Sequence, residues 1–312
     1  MGGRLGQSIP EALRPELVVA ASVVPRFSLI VPCYNEVEAI LSTLASLRLV
    51  LAGHGPYELI VVNDGSCDGS GELLRQAEAA DPSLLVVHHP HNRGYGAALK
   101  SGIRRATSEW IVITDADGTY PIHRIPDLVA QAQDADMVVG ARIGADVKYP
   151  LVRQIPKILL KGYASYAAGT PIPDINSGMR VFRRSVTMRF LKILPDGFSF
   201  TTSITIAMLT NNYEVVYLPI SYGGRIGRSK IRPIRDTLTF VQLVLRTGMY
   251  FAPLRVFLPL VGLLLAGFAV SLAYDIWVLH DLTEKTLILL LFALNTALFA
   301  LLADMIDKRS GE

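Results

Sequence analysis

The chain has 312 residues, with 30 lysines and arginines, 27 aspartates and glutamates, and a formal net charge of +3. This mild charge shows no strong nucleic-acid footprint, and we expect no nucleic-acid partner. Two cysteines, Cys33 and Cys67, without a Cys/His ligand set indicate neither a zinc site nor a disulfide framework. The hydrophobic content of 51% is high for a soluble protein, and its excess near the C-terminus points to a membrane segment.

Residues 1–26 lack a continuous apolar stretch and contain Glu11 and Glu16. They therefore make a poor signal peptide, and we expect a partly ordered leader. The domain that follows is then expected to stay in the cytoplasm.

Apolar runs alternate with stretches of helical spacing from Phe27 onwards. The runs are "FSLIVPC", "YELIVVN", "LLVVHH", "EWIVI" and "ADMVVGA". Helices are predicted between them, over 37–52, 69–80, the stretch "NRGYGAALKSGIRRAT" and residues near 122–134. Buried-type strands in this order indicate an α/β fold with a parallel sheet.

Polar residues follow the strands, in the stretches "CYNE", "NDGS", "DADG" and "GAR". Ligands of such sheets bind beyond the carboxyl ends of the strands. We therefore expect these four strand ends to converge on one binding site.

Asp115 and Asp117 lie one residue apart at the end of the fourth strand, and Asp64 follows another strand. Neighbouring carboxylates repel each other unless a positive group lies between them. A divalent cation with oxygen ligands would relieve this repulsion and could also hold a diphosphate, so Mg²⁺ or Mn²⁺ fits. The alternative is a solvated acidic turn.

Two segments, 149–170 and 230–250, mix basic residues with apolar ones at near-helical spacing. This pattern predicts amphipathic helices that lie on an anionic bilayer. Ordinary domain helices are the alternative for both segments.

Two uncharged runs follow, of 19 residues over 256–274 and 18 residues over 286–303. Each is long enough to cross a bilayer, and the short connector 280–285 predicts a membrane hairpin over 254–306. A buried core hairpin is the alternative. Basic residues outside the connector place the other domain and the C-terminus in the cytoplasm, as in a multi-pass protein of the inner membrane; they are Arg246, Arg255, Lys308 and Arg309.

The motifs "LIVPCYNE", "ELIVVNDGSCDGS", "NRGYGAALKSGI", "DADGTYP", "DINSGMRVFRR" and "YGGRIGRSKIRP" occur in this order over 28–233. Together they resemble the family 2 glycosyltransferases of GT-A fold, in particular the dolichol-phosphate mannose synthase-like, or polyprenyl-phosphate, enzymes. The resemblance implies a Rossmann-like GT-A domain over 27–229.

The resemblance also implies roles for the acidic strand ends. Asp115 and Asp117 would hold the metal and the diphosphate of the donor, and Ala116 between them would also contact the nucleotide-sugar. Asp64 would hydrogen-bond the base. The pocket for the nucleobase and ribose would be lined by Pro32, Tyr34 and Glu36.

Basic residues would bind phosphate groups in such an enzyme. Arg142 would face the acceptor phosphate, and Arg225 and Lys230 would clamp phosphates over the site, so that these three act in catalysis together with Asp117. Arginine suits this task because its planar fork donates two hydrogen bonds at once. Further candidates for the acceptor phosphate are Arg153, Lys157, Lys161, Arg228 and Ser229.

Three positions depart from the family pattern. Thr119 stands where the family often has Gln, so the third metal ligand is open between Thr119 and water. The "RIGRSK" loop is one residue short, so Arg225 and Arg228 could exchange roles. The family's second phosphate-binding arginine has no clear match in this sequence, so Arg153, Lys157 and Lys161 are alternative candidates for its role.

A lipid monophosphate is already an anion at neutral pH and needs no general base, unlike a sugar hydroxyl. The resemblance therefore implies an in-line displacement with inversion, from UDP-glucose or GDP-mannose to a polyprenyl or dolichyl phosphate. Transfer to a sugar hydroxyl is the alternative, but T-E-D-like and Q-x-x-R-W motifs are missing. A degenerate, non-enzymatic membrane scaffold is disfavoured because the acidic residues and the basic loop are intact. Monomer and homo-oligomer both remain open.

Overall fold

The computed structural model describes residues 26–143, 162, 164–166, 168–221, 223, 248–249 and 252–310. Its strands are β1 (Phe27–Cys33), β2 (Tyr57–Asn63), β3 (Leu84–His88), β4 (Trp110–Ile113), β5 (Met137–Ala141), β6 (Arg180–Arg183) and β7 (Val215–Pro219). Its helices are α1 (Ile40–Leu51), α2 (Ser70–Ala80), α3 (Tyr95–Arg105), α4 (Ile125–Gln131), α5 (Arg184–Phe190), α6 (Phe200–Thr210), α7 (Pro253–Tyr274) and α8 (Glu284–Ser310). Single 3₁₀ turns, Ile122–Arg124 and Ala132–Asp134, flank α4.

The seven strands form one sheet in the order β3-β2-β1-β4-β6-β5-β7. Every neighbouring pair is parallel except those of β6, which runs antiparallel to both β4 and β5. The predicted α/β fold with a mostly parallel sheet is therefore confirmed. The sequence analysis did not predict β6, so it missed the strand that separates β4 from β5.

Side chains of β1 alternate between two apolar layers, as the two-residue period of a strand requires. Leu29 and Val31 pack with α1, α2 and α4 on one face of the sheet, whereas Ile30 packs with α3 and α6 on the other face. Both faces are covered, which explains why the strands read as continuous apolar runs.

The chain reverses its direction of strand addition between β1 and β4. It adds β2 and β3 on one side of β1 and then returns to place β4 on the other side. The helices that follow β1 and β4 therefore diverge, and a crevice opens at their carboxyl ends, where α/β proteins bind ligands. The residues after Cys33 and Ile113 lie at this crevice.

Helices α7 and α8 form a C-terminal hairpin. The continuous helical stretches Pro253–Leu279 and Glu284–Ile306 each have a mean hydropathy of 2.4 and are long and apolar enough to cross a membrane. Only 6% and 17% of their most apolar windows are buried inside the structure. The alternative of a buried core hairpin is therefore wrong, because most of these apolar side chains are exposed, as the surface of a membrane-spanning hairpin would be.

The hairpin turn is built around Asp275, which is fully buried. Its Oδ2 accepts hydrogen bonds from the main-chain N–H of Thr283 at 2.8 Å and from its hydroxyl at 2.6 Å. The hydroxyl of Thr286 donates to the same oxygen at 2.7 Å. These bonds satisfy the start of α8 and fix the two helices side by side.

Other predicted features have different outcomes. Neither Cys33, which is buried, nor Cys67, which is exposed, forms a disulfide bond. The predicted leader 1–26 and the interfacial helices 149–170 and 230–250 lie mostly outside the described residues, so they stay predictions.

Candidate functional site

The two aspartates after β4 lie in a turn that is tightly fixed. Asp117 is 6% exposed, and its Oδ1 accepts hydrogen bonds from the hydroxyl of Thr119 at 2.7 Å and from its main-chain N–H at 3.2 Å. The carbonyl oxygen of Ala116 accepts a hydrogen bond from the hydroxyl of Thr43 on α1 at 2.9 Å. The turn is thus anchored at both ends, as a metal-binding loop needs to be.

Asp115 is held from two sides. The hydroxyl of Tyr95, at the start of α3, donates to its Oδ1 at 3.1 Å. Burial and the charge of Asp115 raise the pKa of Tyr95 well above its usual value, so the hydroxyl keeps the proton that it donates. On the other side, a Cβ added to Gly178, two residues before β6, would lie 2.9 Å from both carboxylate oxygens of Asp115, so this position has no room for a side chain.

Oxygen donors of this kind fit a hard divalent cation. Asp115, Asp117 and the Thr119 hydroxyl supply only oxygens, which suit Mg²⁺ or Mn²⁺. Among the described residues, no group of three or more His, Cys, Asp or Glu is arranged to hold a metal by itself. Two carboxylates therefore fit an ion that completes its shell with phosphate oxygens of a substrate and with water.

The loops after β1 and β2 are joined by hydrogen bonds. The main-chain N–H of Asn35 donates to Ser66, the Asn35 side chain accepts from the N–H of Cys67, and the N–H of Glu36 donates to Ser70. Asn35 has a φ of 52°, in the left-handed region that asparagine tolerates. This conformation places the predicted nucleotide-binding residues Pro32, Tyr34 and Glu36 at the carboxyl edge of the sheet; Tyr34 and Glu36 are half-buried and Pro32 is buried.

Asp64 is held by hydrogen bonds within the domain, and its contact with the base stays a prediction. It is 2% exposed, and its carboxylate accepts hydrogen bonds from the ring Nδ1 of His89 at 2.6 Å and from the main-chain N–H groups of Arg93 and Gly94 at 3.0 and 2.8 Å. The other ring nitrogen of His89 pairs with Ser101 on α3 at 2.9 Å. Asp64 thus anchors the loop between β3 and α3, a role that the sequence analysis did not predict.

Arg142, predicted to face the acceptor phosphate, follows β5 and pairs with Asp174. Its Nε and Nη2 donate to the two carboxylate oxygens at 2.7 and 2.9 Å, and both side chains are nearly buried. Burial alone would raise the pKa of Asp174, but the hydrogen bonds and charge of Arg142 outweigh it, so the pKa lies below its usual value. Asp174 was missed because nothing local marks it as the partner of a residue 32 positions away.

Arg180, also missed, is fully buried beneath the site. Its Nε and Nη2 donate to the carbonyl oxygen of Ser177 at 3.1 and 2.5 Å, and Nη1 donates to the carbonyl of Thr201 and the hydroxyl of Thr205, both at 3.0 Å. Burial lowers the pKa of Arg180 from its usual value. The guanidinium fixes the turn Ser177–Gly178, which lies directly against Asp115.

The chain returns to the acidic turn after β7. The N–H of Gly223 donates to the carbonyl oxygen of Thr119 at 3.0 Å, two residues before Arg225 in the sequence. The predicted phosphate-binding residues of this loop and of the preceding interfacial segment lie outside the described residues; they are Arg153, Lys157, Lys161, Arg225, Arg228, Ser229 and Lys230.

The chain matches two protein-family models. Residues 28–191 match "Glycosyl transferase family 2", and residues 252–308 match "GtrB C-terminal hairpin". The first match covers the acidic turn, and the second coincides with α7 and α8. The domain that contains the acidic turn thus matches one family model, and the C-terminal hairpin matches a second one.

Two curated proteins are similar over most of the chain. An undecaprenyl-phosphate mannosyltransferase from Micrococcus luteus is 30% identical over 65% of this chain and 86% of its own length. An undecaprenyl-phosphate 4-deoxy-4-formamido-L-arabinose transferase from Pseudomonas fluorescens is 28% identical over 79% of this chain and 71% of its own length. These relatives differ in the sugar that their names specify.

A solved structure has the same fold. Glucosyl-3-phosphoglycerate synthase from Mycobacterium tuberculosis, crystallised with Mn²⁺, UDP and phosphoglyceric acid, matches with a TM-score of 0.51 and 21% identity. The match covers 71% of this chain and 76% of that one. The same enzyme was also crystallised with Mg²⁺ and UDP.

Proposed function

Because the chain belongs to glycosyl transferase family 2, we propose that it transfers a sugar from a nucleotide-sugar to a polyprenyl or dolichyl phosphate. The observation that carries the proposal is that the same chain contains two features: a fixed acidic turn at the crevice of the sheet, and a C-terminal hairpin whose apolar side chains are mostly exposed. A diphosphate-bearing donor suits the first feature and a membrane-resident acceptor suits the second. The two curated relatives, whose names specify undecaprenyl phosphate, support this acceptor class.

The donor would bind in the crevice between β1 and β4. Pro32, Tyr34 and Glu36 are the proposed contacts of the nucleobase and ribose, with Asp64 shaping the loop beside them. Asp115 and Asp117, with Ala116 between them and Thr119 behind, would hold Mg²⁺ or Mn²⁺ together with the diphosphate. When bound, the cation would neutralise the negative charge that develops on the leaving diphosphate. UDP-glucose and GDP-mannose are the two donors proposed.

The acceptor oxygen would displace the nucleoside diphosphate from the anomeric carbon, with inversion. Since a phosphate monoester is already anionic at neutral pH, the chain needs to supply positive charge and alignment rather than a base. Asp174 fixes the plane of the Arg142 guanidinium, which suits a residue that orients a phosphate. Arg225 and Lys230 are proposed as a clamp, with Arg153, Lys157, Arg228 and Ser229 as further contacts of the acceptor phosphate.

The membrane arrangement is part of the proposal. The hairpin over 254–306 would anchor the chain in the inner membrane as a multi-pass protein, with the GT-A domain over 27–229 in the cytoplasm. The basic residues outside the hairpin turn support this orientation. Helices over 149–170 and 230–250 would lie on the bilayer surface, where they would meet the lipid acceptor.

The test is a transfer assay with the purified full chain. Radiolabelled UDP-glucose and GDP-mannose are each incubated with polyprenyl phosphate and Mg²⁺ or Mn²⁺, and the extracted lipid is counted. We expect labelled lipid with one donor, its loss on chelation by EDTA, and its loss in Asp117→Ala. The matched control is Asp134→Ala, which removes an exposed carboxylate from the turn before β5, at the opposite edge of the sheet from the crevice. Full lipid labelling by Asp117→Ala would show that the site is assigned wrongly.

A further inference from the structure

A cavity of about 790 Å³ lies where the catalytic domain meets the first apolar helix, α7. This volume is within the range of about 300–1,000 Å³ that is usual for small-molecule sites. Residues before Asp174 form one wall, and the first turn of α7 contributes Arg255. The lining includes Tyr166, Gly169, Pro171, Ile172, Pro173 and Arg255.

The position of Arg255 depends on a glycine. Gly169 has a φ of +75°, which favours glycine, and its N–H donates to the carbonyl oxygen of Ser165 at 2.9 Å. A Cβ added to Gly169 would lie 2.8 Å from the Cζ atom of Arg255. The guanidinium therefore lies close to Gly169, and any side chain at position 169 would push it away.

The lining selects a type of ligand. Most of the surface of the cavity is apolar, and Arg255 is the one cation among the described residues that line it. An arginine binds a phosphate through paired hydrogen bonds, and the start of a long helix such as α7 adds partial positive charge. An apolar wall with one guanidinium thus fits an amphiphile that has an anionic phosphate head and a hydrocarbon body.

The location of the cavity specifies the source of that amphiphile. Arg255 lies in the first turn of α7, where the apolar stretch Pro253–Leu279 begins, so in a bilayer that this helix crosses Arg255 would lie near the lipid headgroups. Pro173 in its wall directly precedes Asp174, the residue that holds Arg142. The wall of the cavity is therefore directly linked in sequence to Asp174, which holds Arg142 at the proposed acceptor end of the active site.

We propose that this cavity is a loading site for the polyprenyl phosphate acceptor, in which Arg255 binds the phosphate and the apolar wall receives the adjoining isoprene units. The proposal rests on the proposed function, and it adds a lipid-binding residue outside the predicted phosphate clamp. The lipid is captured here from the bilayer before its phosphate reaches the donor.

Steady-state kinetics of the full chain in phosphatidylcholine nanodiscs test the loading site. Arg255→Gln shortens the side chain only slightly but removes the charge, and we expect the KM for polyprenyl phosphate to rise about tenfold, as for the loss of one charge-assisted hydrogen bond. The kcat and the KM for the donor should change less than twofold. Gly169→Ala should act in the same direction because it displaces the guanidinium. Arg105→Gln, at an exposed position on α3, is the matched control and should change nothing.

Direct binding separates this inference from the proposed function. Native mass spectrometry of the wild type and Arg255→Gln compares retention of polyprenyl phosphate, unphosphorylated polyprenol, phosphatidylglycerol and inorganic phosphate. We expect the wild type to retain polyprenyl phosphate selectively and Arg255→Gln to lose about 90% of it. Equal retention by the two proteins, equal retention of phosphatidylglycerol, or displacement by millimolar inorganic phosphate would each overturn the loading site. A wild type that binds the lipid phosphate but makes no lipid-linked sugar would instead contradict the proposed function.

Discussion

Arg142 and Asp174 form a bidentate ion pair, and the main-chain N–H of Arg142 donates to the same carboxylate at 3.0 Å. One aspartate therefore fixes both the backbone at the end of β5 and the plane of the guanidinium. The pair connects the sheet edge to the loop that leads into the cavity at α7.

Breaking this pair from one side should destabilise the domain strongly. Arg142→Gln leaves Asp174 buried without its cation, which should lower the free energy of unfolding by about 3–5 kcal/mol. Replacing both residues, as Arg142→Gln with Asp174→Asn, should recover part of this loss because no uncompensated charge remains. Denaturant unfolding of the purified chain in detergent measures both single variants and the double variant. Additive losses in the double variant would show that the pair is not coupled.

The same pair predicts a pH dependence. The pKa of Asp174 is lowered in the folded chain, so its contribution to stability is present above the unfolded pKa of about 3.9 and is lost as the pH falls through that value towards the folded pKa. Asp174→Asn should remove this part of the acid destabilisation. Unfolding measured from about pH 6 to about pH 3, on both sides of the unfolded pKa, should therefore show a shallower decline in the variant. Parallel declines would contradict the assignment.

Gly178→Ala should damage catalysis through Asp115. The new methyl group would meet the carboxylate at 2.9 Å, so the carboxylate has to move by several tenths of an ångström. A displacement of this kind next to a reacting diphosphate should lower kcat about tenfold. Gly197→Ala is the control, because a Cβ there meets nothing within 4 Å. Unchanged kcat in Gly178→Ala would mean that Asp115 does not need its observed position.

Thr119 should support the metal through Asp117. Thr119→Val removes the hydroxyl that donates to Asp117 Oδ1 at 2.7 Å but preserves the shape of the side chain. Losing this bond should weaken Mn²⁺ binding in the presence of UDP about fivefold, whereas Thr119→Ser should stay within twofold. Titration followed by electron paramagnetic resonance gives the affinities. Wild-type affinity in the valine variant would exclude Thr119 from the metal site altogether.

Asp64→Asn separates loop anchoring from recognition of the base. An amide has one acceptor oxygen, so it cannot accept all the bonds from His89, Arg93 and Gly94. We expect the free energy of unfolding to fall by about 2–3 kcal/mol, together with a higher KM for the donor. Asp134→Asn, at an exposed position, is the control. A weaker donor interaction with unchanged stability would favour base recognition alone.

The buried hydroxyl of Tyr217 predicts a second pH dependence of stability, at alkaline pH. Burial raises its pKa to about 12, and its hydroxyl has no hydrogen-bond partner among the residues that the structure describes. Stability that depends on the neutral phenol is present below the unfolded pKa of about 10 and is lost as the pH rises towards the folded value. Tyr217→Phe should be at least as stable at pH 8 and should gain on the wild type between pH 10 and pH 11. Identical alkaline curves would contradict the burial of this hydroxyl.

The features that depend on short segments could be predicted from the sequence. The runs that became β1 and β4 are mostly apolar and are followed by polar residues, so both the strands and the edge where they end were predictable. The hairpin was equally clear, because two long uncharged runs separated by a few residues are typical of paired membrane-spanning helices.

Features that depend on distant partners could not be predicted in this way. The strand β6 has the sequence "RVFR", in which a fully buried Arg180 hides the expected apolar pattern. The burial of Arg180 is tolerated only because the carbonyl oxygens of Ser177 and Thr201 accept its hydrogen bonds. Thr201 lies on α6, which follows β6 in the chain. The partner of Arg142 and the anchoring role of Asp64 were missed for the same reason.

The insertion of β6 between β4 and β5 has a consequence for biogenesis. Gly178 and Arg180 complete the surroundings of Asp115, so the first four strands alone cannot form a finished site as the chain emerges from the ribosome. All seven strands nevertheless precede Pro253, so the sheet can assemble before α7 and α8 are synthesised. In the proposed membrane arrangement, the domain is therefore already folded when the hairpin enters the bilayer, and a fault in the hairpin would change localisation rather than folding.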